Sequence, residues 1–320
     1  MSGGVEIRVR VAEAEPVADG IKRLRLVPVD GGHLPVFSGG SHIVVSMQDG
    51  ERRIRNSYSL MGSPRDTAGY EITVLKTPES RGGSIYIHEH AKVGLELTIS
   101  YPLNLFPAAH RARKHLLLAG GIGITPFIPI MAELDEAGAT FELHYAMRSA
   151  KLGAYADRLA ERYGRRVRLY RSDQGQRIPV GDLLSNQKLG THLYVCGPER
   201  MIEGVVLAAR AAGWPGENVH LERFVAPPGG DPFKARLARS NIEVEVGPHT
   251  TLLEAVEAAG VDAAYLCRGG VCGQCETDVI ACDGTLVHND HFLTEAEHKA
   301  GKKLMICVSR FKGRELVLDL

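Results

Sequence analysis

The sequence lacks an excess of charge of one sign, a long apolar run and abundant cysteine. Lys and Arg together number 38, and so do Asp and Glu. No global positive field therefore points to nucleic acid. The uncharged run at residues 116–132 is interrupted by glycine and proline and is shorter than the ~20 apolar residues of a membrane-spanning helix. We therefore expect neither nucleic acid nor a membrane as a partner.

The amino-terminal segment also lacks the apolar core of a secretory signal peptide, since Arg8 and Arg10 fall within it. The chain has six cysteines, and five of them lie in the last 54 residues. In a chain without a secretory signal, such crowding indicates metal binding before disulfide bonding. The sequence therefore predicts a protein of the reducing cytoplasm.

Hydrophobic periodicity divides the chain into parts. Short apolar or alternating segments separated by Gly, Pro and Asp predict an antiparallel β-barrel over the first hundred residues. From His115 onward strands alternate with helices, which predicts a parallel α/β sheet. A loop rich in Pro and Gly follows. We therefore expect a multidomain protein with a β-barrel at residues 1–107, an α/β domain at 108–225, a linker at 226–240 and a last domain at 241–320.

Cysteine spacing is the strongest chemical signal. Cys267, Cys272 and Cys275 follow the pattern C-x4-C-x2-C, and Cys307 comes after 31 further residues. This is the plant-type [2Fe-2S] ligand spacing, in which three thiolates come from one tight loop and the fourth from a distant strand. The alternative is a structural zinc site that uses Cys282 or Cys307 as its fourth ligand, although zinc sites usually take paired short knuckles.

Two glycine turns predict a dinucleotide site. Gly120, Gly121 and Gly123 lie between a buried strand and a helix, where the backbone can approach a pyrophosphate at the helix N-terminus. Residues 194–198, Tyr-Val-Cys-Gly-Pro, also end a strand and begin a helix. Both turns should lie at the same carboxyl edge of the sheet.

These motifs resemble the ferredoxin-NADP reductase superfamily over residues 5–225, and residues 241–320 resemble plant-type ferredoxins. The second resemblance implies a β-grasp domain with Cys267, Cys272, Cys275 and Cys307 as cluster ligands. The first implies that G-G-x-G-x-T-P and C-G-P segments bracket the nicotinamide and pyrophosphate. The residues so implied are Gly120, Gly121, Gly123, Thr125, Pro126, Cys196, Gly197 and Pro198, with Cys196 beside the nicotinamide and without a covalent role.

The choice between NADH and NADPH depends on the residues that follow the third strand. Asp173 would repel the 2′-phosphate of NADPH and could accept hydrogen bonds from ribose hydroxyls. Arg148 and Arg171 favour NADPH instead, because basic residues at this position could bind its 2′-phosphate. We predict NADH, with Arg148 and Asp173 near its ribose.

Two further segments, residues 55–60 and residues 81–84, resemble the flavin-binding segments of the same superfamily. A tyrosine offers a flat face to the isoalloxazine, a serine hydroxyl can bond its N5 edge, and arginine with glycine N–H groups neutralises a phosphate. Asn56 stands where the superfamily usually has arginine, so Arg55 and Arg81 are both candidates for the phosphate. The residues implied are Arg55, Ser57, Tyr58, Ser59, Leu60, Thr73, Val74, Leu75, Arg81, Gly82, Gly83 and Ser84.

Three residues are predicted at the hydride-transfer centre: Ser59, Cys196 and Phe224. By resemblance Phe224 covers the nicotinamide side of the flavin, although it could equally be a core phenylalanine. The pair His88 and His90 could suggest a metal, but their side chains should diverge, and we expect surface residues.

The order of modules, flavin then nicotinamide then cluster, resembles the phthalate dioxygenase reductase and vanillate demethylase reductase family. That resemblance implies FMN. It also implies electron flow from NADH through FMN and the [2Fe-2S] cluster to a terminal oxygenase of Rieske or haem type, acting as a demethylase or hydroxylase. The alternatives are a free-standing NAD(P)H flavin reductase and a non-catalytic redox-sensing module.

Overall fold

The computed structural model describes residues 6–50, 52–77, 82–224 and 229–320. These residues form two compact units, one ending at Phe224 and the other made of the residues that follow it. None of the described helices has the length and apolar character needed to cross a membrane. Each unit is described by itself below.

The first unit begins with an antiparallel barrel. Its sheet has the order β4-β5-β2-β1-β6-β3-β7, and the additional pairing of β4 with β3 closes it. Alternate side chains of these strands fill one core, which includes Val9, Leu24, Ile43 and Ile72. The elements are β1 (Ile7–Ala18), β2 (Ile21–Pro28), β3 (Ser41–Asp49), β4 (Arg52–Met61), β5 (Tyr70–Leu75), α1 (Gly83–His90), β6 (Glu96–Ile99) and β7 (Leu103–Asn104).

The same unit continues with a five-stranded parallel sheet of order β10-β9-β8-β11-β12. Because both faces are covered by helices, the central strand β8 has buried leucines on both of its faces. In β8, Leu117 packs into one core cluster, while Leu116 and Leu118 pack into the other. The elements are β8 (Lys114–Gly120), α2 (Phe127–Glu136), β9 (Phe141–Met147), α3 (Ala156–Tyr163), β10 (Val167–Arg171), α4 (Val180–Ser185), β11 (Thr191–Cys196), α5 (Glu199–Ala211) and β12 (Val219–Glu222).

The strand order places the topological switch point between β8 and β11. From β8 the chain passes to β9 on one side, and it returns to β11 on the other side. Ligands of open α/β sheets bind outside the carboxyl ends of the strands at such a point. The two predicted glycine turns follow these two strands.

The second unit is a mixed five-stranded sheet of order β14-β13-β17-β15-β16, packed against a short helix. Only β13 and β17 pair in parallel. Both helices begin with a capping box, formed by Thr251 with Glu254 and by Thr294 with Glu297. The elements are β13 (Phe233–Leu237), β14 (Ile242–Val246), α6 (Leu252–Ala258), β15 (Glu276–Val287), α7 (Glu295–Ala300), β16 (Lys303–Met305) and β17 (Arg310–Leu318).

The predicted fold class is confirmed: an antiparallel barrel, a parallel α/β sheet and a β-grasp sheet. The segment expected to be a linker, residues 226–240, contains strand β13. Phe233, Ala235 and Leu237 alternate with charged residues and are buried in the core of the second unit. Apolar and charged residues alternate over Phe233–Leu237, as a half-buried strand requires, but the Pro- and Gly-rich residues just before them predict a loop.

The buried guanidinium of Arg310 joins distant backbone segments of the second unit. Its nitrogens donate to the carbonyl oxygens of Thr250 at 3.1 Å, Gly230 at 3.2 Å, Asp231 at 2.8 Å and Gly247 at 3.1 Å. Several carbonyls would lose a charged donor together if this side chain were removed.

We expect Arg310→Met to destabilise the second unit by about 3 kcal/mol or more, because it leaves buried acceptors without partners. The matched control is Lys234→Met, which removes only exposed ion pairs on β13 and should leave stability nearly unchanged. Thermal loss of the visible absorption of the holoprotein measures both. Equal midpoints for the two variants would contradict the prediction.

Candidate functional site

The two glycine turns at the carboxyl edge of the parallel sheet are in backbone contact. A Cβ on Gly123 would lie 2.3 Å from the carbonyl oxygen of Cys196, and one on Gly120 would lie 2.7 Å from Cδ of Pro198. Cys196 and Ala119 are register partners of β11 and β8. Only glycine permits this approach, so the predicted residues Gly120, Gly123 and Gly197 are brought together.

The turn after β8 is a 3-10 turn over Gly121–Ile124, closed by a hydrogen bond from Thr125 Oγ1 to Ile122 O at 3.0 Å. Pro126 is the N-cap of α2, and no side chain caps that helix. The first N–H groups of α2 therefore lie beside the turn, as a pyrophosphate site requires.

The sulfur of Cys196 is fully buried, and burial raises the pKa of its thiol, which favours the neutral form. Its register partner on β12 is Glu222. Phe224 follows two residues later with 48% of its surface exposed, so it is not a core residue.

Glu222 was not predicted from the sequence. Its Oε2 is closed to solvent and has no hydrogen-bond partner among the described residues, and burial raises its pKa to about 8. The signal was its position at the carboxyl end of the strand beside Cys196, where ligands of parallel sheets bind.

Arg148 and Asp173 are brought together at the same edge. They follow β9 and β10 respectively, and the backbone N–H of Asp173 donates to the carbonyl of Arg148 at 2.9 Å. Both side chains are exposed. This is the position expected for groups that contact a nucleotide ribose.

Strand β4 carries the predicted flavin residues on both of its faces. Tyr58 packs against the barrel core, whereas Met61 packs into the cluster formed with α2 and the parallel sheet. Alternation along the strand therefore directs Ser59, with Ser57 and Arg55, toward the α/β part of the unit. The hydroxyl of Ser59 is buried without a hydrogen-bond partner among the described residues. A buried hydroxyl without a partner is expected where a bound polar ligand would form the hydrogen bond.

The N-terminus of α1 lies close to β4. Its N-cap, Gly82, has φ 109° and offers no side-chain cap, and a Cβ on Gly83 would lie 2.4 Å from Nδ2 of Asn56. The Oγ of Ser84 accepts from the N–H of Thr77 at 3.1 Å. Arg81 lies outside the described residues, so the choice between Arg55 and Arg81 stays open.

The remaining predicted flavin residues belong to the barrel interior and its rim. Leu60 and Val74 have buried side chains, which leaves only their backbone groups for a ligand. Thr73 hydrogen-bonds through Oγ1 to the hydroxyl of Tyr155 at 2.7 Å, a contact that spacing in the sequence could not reveal. Leu75 ends β5 half-buried.

The histidine pair expected at the surface lies at the end of α1. His88 is half-buried, and its Nε2 hydrogen-bonds to the carbonyl of Val74 at 2.9 Å. His90 is exposed.

The four predicted cluster cysteines converge in the second unit. Cys267 and Cys272 lie within hydrogen-bonding reach of each other, as do Cys275 and Cys307. The hydrogen bond with Cys272 lowers the pKa of Cys267. Cys282 lies on β15 and is exposed, with its Sγ directed at the carbonyl of Gly284.

The cysteine loop is held by groups other than the thiols. Arg268 has φ 53°, a left-handed conformation rare for a residue with a side chain. It pairs in bidentate fashion with Glu257 of α6 and lies over the ring of Tyr265, 4.0 Å from its centroid. Gly270 and Gly273 have φ 72° and 76°. The donor set and its loop fit a [2Fe-2S] cluster.

An antiparallel barrel, a parallel α/β sheet with two glycine turns at its edge, and a loop of four converging cysteines are together typical of an oxidoreductase that uses a flavin and an iron–sulfur cluster. Two family models match the chain. Residues 102–219 match the N-terminal domain of dimethylamine monooxygenase subunit DmmA-like proteins, and residues 235–312 match the 2Fe-2S iron-sulfur cluster binding domain.

Known proteins match along almost the whole chain. The carnitine monooxygenase reductase subunit of Acinetobacter pittii is 45% identical, covering 94% of this chain and 98% of its own. The vanillate O-demethylase oxidoreductase of Pseudomonas sp. is 38% identical, covering 98% and 100%. The solved structure of phthalate dioxygenase reductase superposes with a TM-score of 0.88 at 32% identity, covering 98% of each chain.

The chain therefore belongs to the phthalate dioxygenase reductase and vanillate demethylase reductase family. It is an oxidoreductase of the class that serves oxygenases as their reductase component.

We expect Gly123→Ala to weaken NADH binding by about tenfold or more, equivalent to ~1.4 kcal/mol, because its Cβ would push the turn away from Cys196. Calorimetric titration of the holoprotein with NAD⁺, which cannot reduce the flavin, measures the dissociation constant of the dinucleotide. Gly204→Ala is the matched control, since it lies on α5 in open space and should leave binding unchanged. Equal affinities for both variants would rule out the proposed contact as a determinant of binding.

Glu222 should make stability depend on pH. Its folded pKa of about 8 lies above the ordinary value of 4.5, so the folded state retains a proton that the unfolded chain releases between these values. Stability from this group is present below pH 4.5 and is lost as the pH rises to 8, by on the order of a few kcal/mol.

We expect Glu222→Gln to flatten the fall in unfolding free energy between pH 5 and 8, as measured by denaturant titration of the first unit's fluorescence. Glu217→Gln, an exposed residue shortly before β12, should keep the wild-type pH profile. A Glu222→Gln profile as steep as the wild type would show that this carboxyl is not the source.

Proposed function

We propose that this protein is an NADH-dependent reductase that passes electrons through FMN and a [2Fe-2S] cluster to a terminal oxygenase. The observation that carries the proposal is the convergence of Cys267, Cys272, Cys275 and Cys307 in a chain that also has a dinucleotide edge. The cofactors supply hydride transfer from NADH to FMN, followed by single-electron transfer to the cluster.

The flavin is assigned to the barrel side of the first unit. The unpartnered hydroxyl of Ser59 is available to the N5 edge. Tyr58 lies on the barrel face of the same strand and is half-buried, so the part of its ring that the core leaves uncovered would supply the aromatic face. The uncapped N-terminus of α1 at Gly82 and Gly83, with Arg55 or Arg81, would hold the phosphate.

NADH is assigned to the carboxyl edge between β8 and β11. Gly121 to Pro126 and Cys196 to Pro198 would contact the pyrophosphate and nicotinamide, while Arg148 and Asp173 would contact the ribose. The Asp173 carboxylate favours ribose hydroxyls over a 2′-phosphate. Burial keeps Cys196 as a neutral thiol, so its role is contact with the nicotinamide and exclusion of water.

Electrons would leave the second unit on the Cys272 side. Cys267, Cys275 and Cys307 are buried, whereas Cys272 is partly exposed. Leu266, Val271 and Phe292 are large apolar residues exposed near that loop. An apolar surface around the one accessible ligand suits brief docking of a partner oxygenase, of Rieske or haem type.

We further propose a domain boundary between residues 107 and 108 within the first unit, and a cytoplasmic location. None of the six cysteines is joined in a disulfide, which supports a reducing compartment.

We expect Cys307→Ala to lose iron and the cluster absorption, and to stop NADH-driven reduction of cytochrome c, because one thiolate ligand is removed. Anaerobic NADH should still bleach the flavin of this variant, since the residues assigned to flavin and NADH lie in the other unit. That retained step separates loss of the cluster from general misfolding.

Cys282→Ala is the matched control and should keep iron, spectrum and activity, because Cys282 is exposed on β15. Full iron content in Cys307→Ala would overturn the ligand assignment, as would loss of iron in Cys282→Ala. A wild-type flavin that stays oxidised under anaerobic NADH would overturn the proposed function.

A further inference from the structure

His288, Asp290 and His298 form a second cluster of metal-ligating groups in the second unit. Asp290 Oδ1 lies 3.7 Å from His288 Nδ1, and Asp290 Oδ2 lies 3.2 Å from His298 Nε2. One donor atom from each residue lies within 4.8 Å of the others. The two imidazole rings stack with centroids 4.3 Å apart.

The polar atoms of this cluster are incompletely paired despite their burial. The side chain of Asp290 is 0% exposed and that of His288 is 7% exposed. Asp290 Oδ1 and both ring nitrogens of His288 have no hydrogen-bond partner among the described residues. Leaving such groups buried and unpaired costs about 1–3 kcal/mol each, so the arrangement calls for a ligand.

The orientation of Asp290 is fixed by the backbone. Its Oδ2 accepts from the N–H groups of Leu293 at 2.8 Å and Phe292 at 3.3 Å. These bonds anchor one carboxylate oxygen and leave Oδ1 available for a ligand. A carboxylate held in this way binds a metal ion through one oxygen, with the other oxygen supported by the surrounding shell.

We infer that His288, Asp290 and His298 bind a divalent transition-metal ion of the zinc type. Two imidazole nitrogens and one carboxylate oxygen are a common donor set for zinc. Zinc bonds of about 2.0–2.1 Å in tetrahedral geometry separate neighbouring ligand atoms by roughly 3.4 Å, close to the 3.7 Å between Asp290 Oδ1 and His288 Nδ1. Nε2 of His298 is hydrogen-bonded to Asp290 Oδ2, and its ring lies 19° from parallel to that of His288. Binding therefore requires the His298 ring, on the partly exposed side, to turn its nitrogen from Oδ2 to the ion. The side chain of His298 is 28% exposed, so a fourth ligand position can face water.

An anion does not suit the site, because the carboxylate of Asp290 would repel it. An imidazole binds a metal ion through a ring nitrogen that carries no proton, and neither ring nitrogen of His288 has a hydrogen-bond partner among the described residues.

The site is joined to the cluster loop. The N–H of His291 donates to the carbonyl of Gly270 at 2.9 Å, and Asn289 Nδ2 donates to the carbonyl of Val308, the residue after Cys307, at 3.0 Å. A bound cation would favour the more negative, reduced state of the iron–sulfur cluster and raise its reduction potential. This effect rests on the proposed [2Fe-2S] centre, whereas binding of the cation does not.

Calorimetric titration of the untagged holoprotein with Zn²⁺ tests the site, with the visible spectrum recorded in parallel. We expect one equivalent to bind at low micromolar concentration or tighter, with the cluster absorption unchanged. His288→Gln and His298→Gln should each weaken binding by about tenfold or more. His291→Gln is the matched control: it alters an exposed neighbouring histidine and should bind as the wild type does.

Identical isotherms for the wild type and His298→Gln would overturn the site, as would zinc uptake only with bleaching of the cluster. The absence of saturation at one equivalent would do the same. His298 lies on the partly exposed face of α7, so its variant tests the site without removing a fully buried side chain.

Spectroelectrochemical titration of the cluster tests the coupling. Zn²⁺ should raise the reduction potential of the wild type and of His291→Gln but not that of His298→Gln. Stoichiometric binding with an unchanged potential would overturn the coupling. A protein with no cluster absorption before any zinc is added would instead contradict the proposed function, so the two failures are distinguishable.

Discussion

The backbone contact between the two turns at the carboxyl edge of the parallel sheet is the constraint on which the nucleotide site depends. Gly123 and Gly120 approach Cys196 and Pro198 so closely that no Cβ fits between them. Strand order sets the switch point between β8 and β11, and the contact holds the two turns together there, at the start of α2. The pairing of β11 with β12 then places Glu222 beside Cys196 at the same edge. Glycine here is a requirement of packing as much as of turn geometry.

Three positions assigned to ligands share one feature, a buried polar atom that has no hydrogen-bond partner among the described residues. The hydroxyl of Ser59, the carboxyl of Glu222 and Oδ1 of Asp290 each have this property among the described residues. In folded proteins nearly all buried polar groups are paired, so each exception needs an explanation. The first two lie where cofactors are assigned, and the third lies in the histidine cluster beside the cysteine loop.

Much of the fold could be predicted from the sequence because its periodicities are local. A single sequence is enough to recognise the alternation in the barrel strands, the apolar residues of β8 and the spacing of the cysteines. Glu222 and the contact of Thr73 with Tyr155 could not be foreseen, because they depend on which strands become neighbours. Strand β13 was hidden by the Pro and Gly before it, and the His288 cluster joins residues from a loop and a helix whose spacing resembles no motif.

The left-handed residue in the cysteine loop ties the loop to helix α6. A left-handed conformation at Arg268 costs roughly 1–2 kcal/mol, and the ion pair with Glu257 and the contact with the ring of Tyr265 offset that cost. None of these three side chains is a thiolate. The curvature of the loop is therefore open to change by substitutions that leave all four cysteines in place.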